Sequence, residues 1–376
     1  MTTLIHSTRK LDADGQVDDF WVLLEAGSIK AVGTGPVHPP ADTVVDAGGD
    51  WLTPGFIDLH GHGGGGFSYD QGAEQLFAAL ATHRAHGTTR SVLSLVAAPI
   101  ESLLENLALI ADLTQRDPLV LGSHLEGPYL APAHRGAHNP AYLREPDPSD
   151  LEEFISASRG TLRQVTLAAE LPNAFEAVDV LVESGIVVAL GHTDATFEMA
   201  KEAFDRGVRL LTHAFNAMPG IHHRSPGPVV AAFEDERVVL ELVCDGVHVH
   251  PDVVNLSFAS AAGRIALITD SMAAAGSEDG NYRLGNLNVT VRDGKAVLSG
   301  TNTIAGSTLT QDEALGCAIA AGVDPAKAVE ALTHTPARVL GLEKRHGMLA
   351  PGFAADAVLL DNDWSVTGVW ADGIRL

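Results

Sequence analysis

Along most of the chain, apolar runs of strand length alternate with stretches whose apolar residues recur every three or four positions. The runs predict eight strands: Gly55–His60, Thr88–Val96, Leu119–Glu126, Arg163–Glu170, Ile186–His192, Val208–His213, Val238–Asp245 and Arg264–Asp270. Between them lie helical patterns such as AEQLFAALATHRAHG, ESLLENLALIADLTQ, AFEAVDVLVESG and ATFEMAKEAFDRG, several ending in a glycine suited to a C-cap. Eight such units over this span match a closed (β/α)8 TIM-like barrel better than an open sheet. The two ends have another rhythm. WVLLEAGSIKAVG and TVVDAGGDWLTPG read as short strands and turns before the barrel, and FAADAVLLD followed by GVWADGIRL reads likewise after it. We therefore expect an α/β protein with residues 54–340 as the barrel, and residues 1–53 and 341–376 forming a small β-sandwich. YRLGNLNVTVRDGKAVLSG, after the eighth strand, predicts a β-hairpin insertion.

Composition narrows the function. Apolar residues make up 45% of the 376, enough for a large core, and charged residues only 19%, so disorder is not expected. The net charge of -24 repels nucleic acid and anionic membrane, so neither is an expected partner. Two cysteines, Cys244 and Cys317, give no disulfide framework. No secretory leader or spanning run is visible, which points to a soluble, cytoplasmic protein.

The candidate chemistry sits at the strand ends. The first strand finishes Asp58-Leu59-His60 and runs into Gly61-His62; the third ends Ser123-His124-Leu125-Glu126. The fifth ends at His192, the sixth at His213, the seventh at Cys244-Asp245 with His248 beyond, and the eighth at Asp270. In a barrel these ends converge on one face, where active sites form. A core needs no His or Asp there, and a single one would read as a hydrogen-bonded edge residue. The set reads as a metal site. His60 and His62, two apart on an extended chain, point the same way, and Glu126 completes or bridges a site. His124 is a candidate to support a ligand from behind. Asp270, ionised beside a cation, suits proton transfer from an activated water to a leaving group, or else serves as a further ligand. The run Gly63–Gly66 lacks phosphate-loop spacing and reads as a flexible loop. The loop Asn216–Gly227 carries His and Arg residues that either bind an anion or face solvent. Residues 304–307 precede a helix start and form a candidate ligand-contact loop.

These motifs carry a resemblance. PGFIDLHGH resembles the first-strand motif of the amidohydrolase superfamily. HLEGPYL…GAHNP, GHTDA, THAFNAMPGIHHRSPG, CDGVHV, ITDSMAAAG and NTIAGSTLT, in that order, resemble N-acetylglucosamine-6-phosphate deacetylases over nearly the whole chain. The resemblance implies hydrolysis of the N-acetyl amide of a phosphorylated amino sugar, releasing acetate. It makes Glu126, His192 and His213 ligands of one divalent metal, zinc first and iron or another divalent ion next, and Asp270 the acid/base. His60 and His62 stand where some members carry Gln-x-Asn and use one metal, so one or two ions per chain are expected, with Asp270 beside them. Ala137, His138, Asn216, Ala217, Arg224, His248, Ile304, Ala305 and Gly306 fall at substrate-contact positions. The loop arginine of the family commonly reaches the phosphate from a neighbouring subunit, which implies a homodimer. Ser225 and Ser271-Met272 depart from the usual residues. Dihydroorotase-like and isoaspartyl-dipeptidase-like barrels commonly use a carbamylated Lys, and no Lys lies near these strand ends. An inactive barrel serving assembly should have lost ligands.

Overall fold

The computed structural model describes all residues, Met1–Leu376. Its centre is a ring of eight parallel strands: Phe56–Asp58, Thr88–Val96, Val120–Glu126, Leu162–Leu167, Val187–Leu190, Leu210–Leu211, Val239–Val243 and Ile265–Ile268. Each hydrogen-bonds to the next in chain order. A bridge between Gly61 and Ser271 brings the first and eighth strands towards closure. A helix follows every strand, from Ala73–Ala85 after the first to Gln311–Ala320 after the eighth. Their sequences explain them. In Ile100–Arg116, Leu103, Leu107, Ile110 and Leu113 recur at helical spacing and are all buried against the ring. Phe197–Asp205 starts at Thr196, whose side chain accepts the Met199 amide. Gln311–Ala320 starts with a Thr310/Glu313 capping box. No helix is long and apolar enough to cross a membrane.

Several strands stop earlier than the apolar pattern predicts. The fifth ends at Leu190 rather than His192, the sixth at Leu211 rather than His213, and the eighth at Ile268 rather than Asp270. The reason is conformational. His192, His213 and Asp270 have φ of 47°, 28° and 45°, so the chain leaves the ladder there and turns these side chains across the barrel mouth. Left-handed backbone at bulky residues is costly and concentrates at functional sites.

Strands from the two chain ends share one sheet. Trp51–Pro54 pairs antiparallel with Ala357–Leu360, joining the N-terminal strands to the last three. Thr2–Asp12 pairs with Thr43–Asp46 along its first half and with Trp51–Pro54 further on, so the sheet branches. It packs around its own apolar cluster, which includes Ile5, Phe20, Leu52 and Trp370. The insertion after the eighth barrel strand carries one more strand than the expected hairpin: Gly280–Leu284, Leu287–Arg292 and Lys295–Leu298 form a three-stranded meander. Asp293 and Gly294, both at positive φ, make its second tight turn. The glycine run is also more ordered than a loose loop. Gly63–Gly64 pairs with Phe67–Ser68, and a Cβ at Gly63 would lie 2.2 Å from the Phe67 carbonyl oxygen.

One buried ion pair ties the sheet to the barrel. Arg90, on the second barrel strand, donates to Asp356 through Nε and Nη2 at 2.8 and 3.0 Å and to Asp372 at 2.6 Å. Burial alone would raise the Asp356 carboxyl; hydrogen bonds from His346 and Arg90 outweigh it and hold it at about 2. Arg90→Met would strand that charge and should cost about 3–5 kcal/mol, read from denaturant midpoints at neutral pH. Because the folded value lies below the unfolded one of about 3.9, this stability is present above pH ~4 and lost as the pH falls towards 2. A variant as stable as the unmodified protein would contradict this account.

Candidate metal centre and cleft

The side chains released at the strand ends meet at the floor of a cleft of about 390 Å³ at the C-terminal mouth of the barrel. Two groups of candidate ligands lie there, all buried: His60, His62 and Asp270; and Glu126, His192 and His213. His60 Nε2 and His62 Nε2 are 3.2 Å apart, and His192 Nε2 and His213 Nε2 are 3.0 Å apart. Glu126 stands between the groups. Its Oε1 is 3.0 Å from His192 Nε2 and 3.1 Å from His213 Nε2, while Oε2 is 3.2 Å from His62 Nε2. Asp270 Oδ1 is 3.4 Å from His62 Nε2.

The ring nitrogens facing the floor can be assigned. The Nδ1 of His192 lies 2.8 Å from the His134 carbonyl oxygen, and that of His62 lies 3.2 Å from the Ser94 carbonyl oxygen. A carbonyl only accepts, so each Nδ1 carries the proton and each Nε2 presents a lone pair. Lone pairs and carboxylate oxygens packed this closely repel one another unless positive charge lies among them. Tetrahedral coordination at 2.0–2.1 Å places ligand atoms roughly 3.3 Å apart, close to the spacings here. The donor set therefore fits divalent ions that accept nitrogen and oxygen. The electrostatics agree. Burial pushes His192 down to about 4, so its ring stays neutral. In the absence of an ion a proton takes its place: against burial, Asp270 and Glu126 raise His62 to about 9, and the proton this puts on Nε2 in turn holds the Asp270 carboxyl at about 2.

His138 behaves differently. Its Nδ1 accepts the Ala97 amide at 3.2 Å, so Nε2 carries the proton and donates towards Glu126 Oε2 at 3.3 Å. It lines the cleft as a donor. His124 packs edge-on against His60 and is held by Ser94 Oγ at 2.9 Å and Thr166 Oγ1 at 2.8 Å, behind the floor. Gly136, at φ 53°, approaches His192 so closely that a Cβ would lie 3.2 Å from its Cε1.

Ala137, His138, Asn216, Ala217, His248, Ile304 and Gly306 all line the cleft. His248 is clamped by Asp245, whose Oδ2 lies 2.6 Å from Nδ1. Ala305 is fully buried, its amide donating to the Ala296 carbonyl. Arg224 stands outside the cleft. Its loop lines a separate surface hollow with Asp194, Glu198 and Ser225, and its Nη1 lies 2.7 Å from His223 Nε2. Two buried acids matter here: Asp58, which the sequence reading named without a role, and Glu241, which it missed. Asp58 accepts the Thr269 hydroxyl at 2.6 Å, and Glu241 lies 3.2 Å from His60 Nδ1. The available signal was an acidic residue inside a strand that is otherwise apolar, VVLELV.

Fold and floor together define a barrel built to hold divalent ions among histidines and carboxylates. The amidohydrolase family profile matches residues 51–375, and the chain belongs to that family. The family implies a divalent metal. Among curated relatives, an N-acetylgalactosamine-6-phosphate deacetylase from Escherichia coli O157:H7 is 39% identical, covering 99% of both chains. An N-acetylglucosamine-6-phosphate deacetylase from Vibrio furnissii is 34% identical over 95% of this chain and 90% of its own. Among solved structures, an Asp-to-Ala variant of N-acetyl-D-glucosamine-6-phosphate deacetylase from Mycobacterium smegmatis, in complex with N-acetyl-D-glucosamine-6-phosphate, is 40% identical. It matches with a TM-score of 0.95 over 100% of this chain and 99% of its own.

Because no Lys or Arg lines the cleft to neutralise its carboxylates, chelation should destabilise the protein. Restoring a divalent ion at a hundredfold excess over its dissociation constant should return about 2.7 kcal/mol. Thermal melts with and without chelator measure this; identical midpoints would contradict the reading.

Proposed function

We propose that this enzyme hydrolyses the N-acetyl amide of N-acetylglucosamine-6-phosphate, yielding glucosamine-6-phosphate and acetate. The carrying observation is the convergence of His60, His62, Glu126, His192, His213 and Asp270 on one cleft floor, in a chain with full-length deacetylase relatives. Zinc suits the imidazole and carboxylate donors best, and two ions per chain suit the two groups. A divalent ion held there would polarise the amide carbonyl and lower the pKa of the attacking water. Asp270, held ionised, takes a proton from that water and delivers it to the leaving amine. His138 keeps Glu126 oriented. Asn216, the Ala217 backbone, His248, and the 304–306 loop contact the sugar phosphate.

Arg224 supports a homodimer. It lines a separate hollow rather than its own cleft, so we propose that it reaches the phosphate bound by a second copy. Its planar fork matches phosphate oxygens, and the net charge of -24 leaves recognition to such short-range contacts. The identity to the Escherichia coli relative makes N-acetylgalactosamine-6-phosphate the competing substrate.

Acetate release tests the reading. The rate constant kcat/KM for N-acetylglucosamine-6-phosphate should exceed that for both its galacto epimer and the unphosphorylated sugar. A higher value for the epimer would transfer the assignment to it, and equal values with and without phosphate would refute a phosphate site. Asp270→Asn should lower turnover roughly a hundredfold to ten-thousandfold while KM changes little. Turnover near that of the unmodified enzyme would remove Asp270 from its role.

A charged contact contributes about 1.5–3 kcal/mol, so Arg224→Ala should lower kcat/KM for the phosphorylated sugar roughly tenfold to a hundredfold. Mixed with Asp270→Asn subunits, it should regain activity, because each heterodimer keeps one intact site. No recovery in verified heterodimers would show that Arg224 does not act across subunits.

A further inference from the structure

Directly beneath the cleft floor, the seventh barrel strand carries a carboxylate that the proposed chemistry leaves unused. Glu241 is fully buried. Three donors converge on it: Gln164 Nε2 at 3.0 Å on Oε1, and the His213 amide at 3.3 Å with His60 Nδ1 at 3.2 Å on Oε2. Its ion-pair partner is His60, and no Lys or Arg reaches it. A buried carboxylate without a neighbouring cation is costly, and the arrangement is relieved by positive charge on the far side of the His60 ring. That far side is Nε2, which faces His62 Nε2 at 3.2 Å and Asp270 Oδ1 at 3.7 Å.

The four histidines of the floor are backed unequally. His62 and His192 lean on backbone carbonyls, and His213 Nδ1 has no partner. His60 alone is backed by a carboxylate. An anionic partner on Nδ1–H fixes the tautomer and makes the opposite nitrogen a stronger donor than a carbonyl partner does.

We infer that Glu241 is the positioning residue that makes the His60/His62/Asp270 end of the cleft a cation site. The inference rests on the two-ion reading above. Relatives of this barrel lacking an acid at this position should favour a single ion.

The test is a titration of Glu241→Gln and unmodified protein with Zn2+ against a chromophoric chelator, repeated with Co2+ for its visible spectrum. One of the two equivalents should lose affinity about tenfold to a hundredfold, and the other should change less than about threefold. The Co2+ spectrum of that same equivalent should shift. Unchanged affinities, or equal weakening of both equivalents, would overturn the inference while leaving two-ion loading intact. Unmodified protein that never takes up a second equivalent would overturn both together. Should Glu241→Gln not fold, Gln164→Met removes one donor and lets the carboxylate shift from His60 Nδ1; it should weaken one equivalent and spare the other. Nitrogen-15 histidine spectra of the unmodified zinc-loaded protein give a second readout. They should show His60 protonated at Nδ1; protonation at Nε2 would overturn the assignment.

Discussion

Lone pairs of four imidazoles and the oxygens of two carboxylates, held within a few ångströms of one another and out of water, repel unless positive charge lies among them. That constraint organises the upper half of this barrel. His134 and Ser94 carbonyls orient His192 and His62, the Ala97 amide turns His138 into a donor, and Gly136 leaves room for the His192 ring. The backbone bears part of the cost. Three of the six residues on the floor, His192, His213 and Asp270, sit in left-handed conformations that the surrounding ladders over-determine. Asp270 is fixed from both sides: its amide donates to the His60 carbonyl, and its own carbonyl accepts the Ser307 amide.

Beneath the floor the barrel is polar where most of its interior is apolar. Ser94, His124, Thr166 and Thr212 form a chain of hydrogen bonds across the lumen, and Gln164 and Glu241 extend it to His60. This layer separates the charged floor from the apolar plug of Ile57, Val92, Ala189, Leu210 and Ala266 below. A rigid, hydrogen-bonded layer keeps the ligand rings from relaxing apart when the cation is removed, so the centre stays preorganised for it.

Much of this was legible in the sequence because strand order and strand ends leave local marks. His60-Gly61-His62 and His124-Leu125-Glu126 announce themselves by spacing, and apolar runs ending in His or Asp mark the barrel mouth. The missing parts have physical reasons. Strand limits were overrun because an apolar pattern says nothing of a positive φ at His192 or His213. The third strand of the insertion, Lys295–Leu298, is too short for its alternation to stand out. Glu241 hid because its partners, Gln164 and His60, are far away along the chain and meet only when the ring closes. Arg224 was readable as an anion-binding residue, but its place outside its own cleft depends on the path of the 216–227 loop.

The most direct test of the ion-holding floor is anomalous diffraction from crystals of the Zn2+-loaded protein. One peak should lie among Glu126, His192 and His213, with a second between His60, His62 and Asp270. Peaks elsewhere, or a floor in which the rings have rotated apart around water alone, would contradict the account.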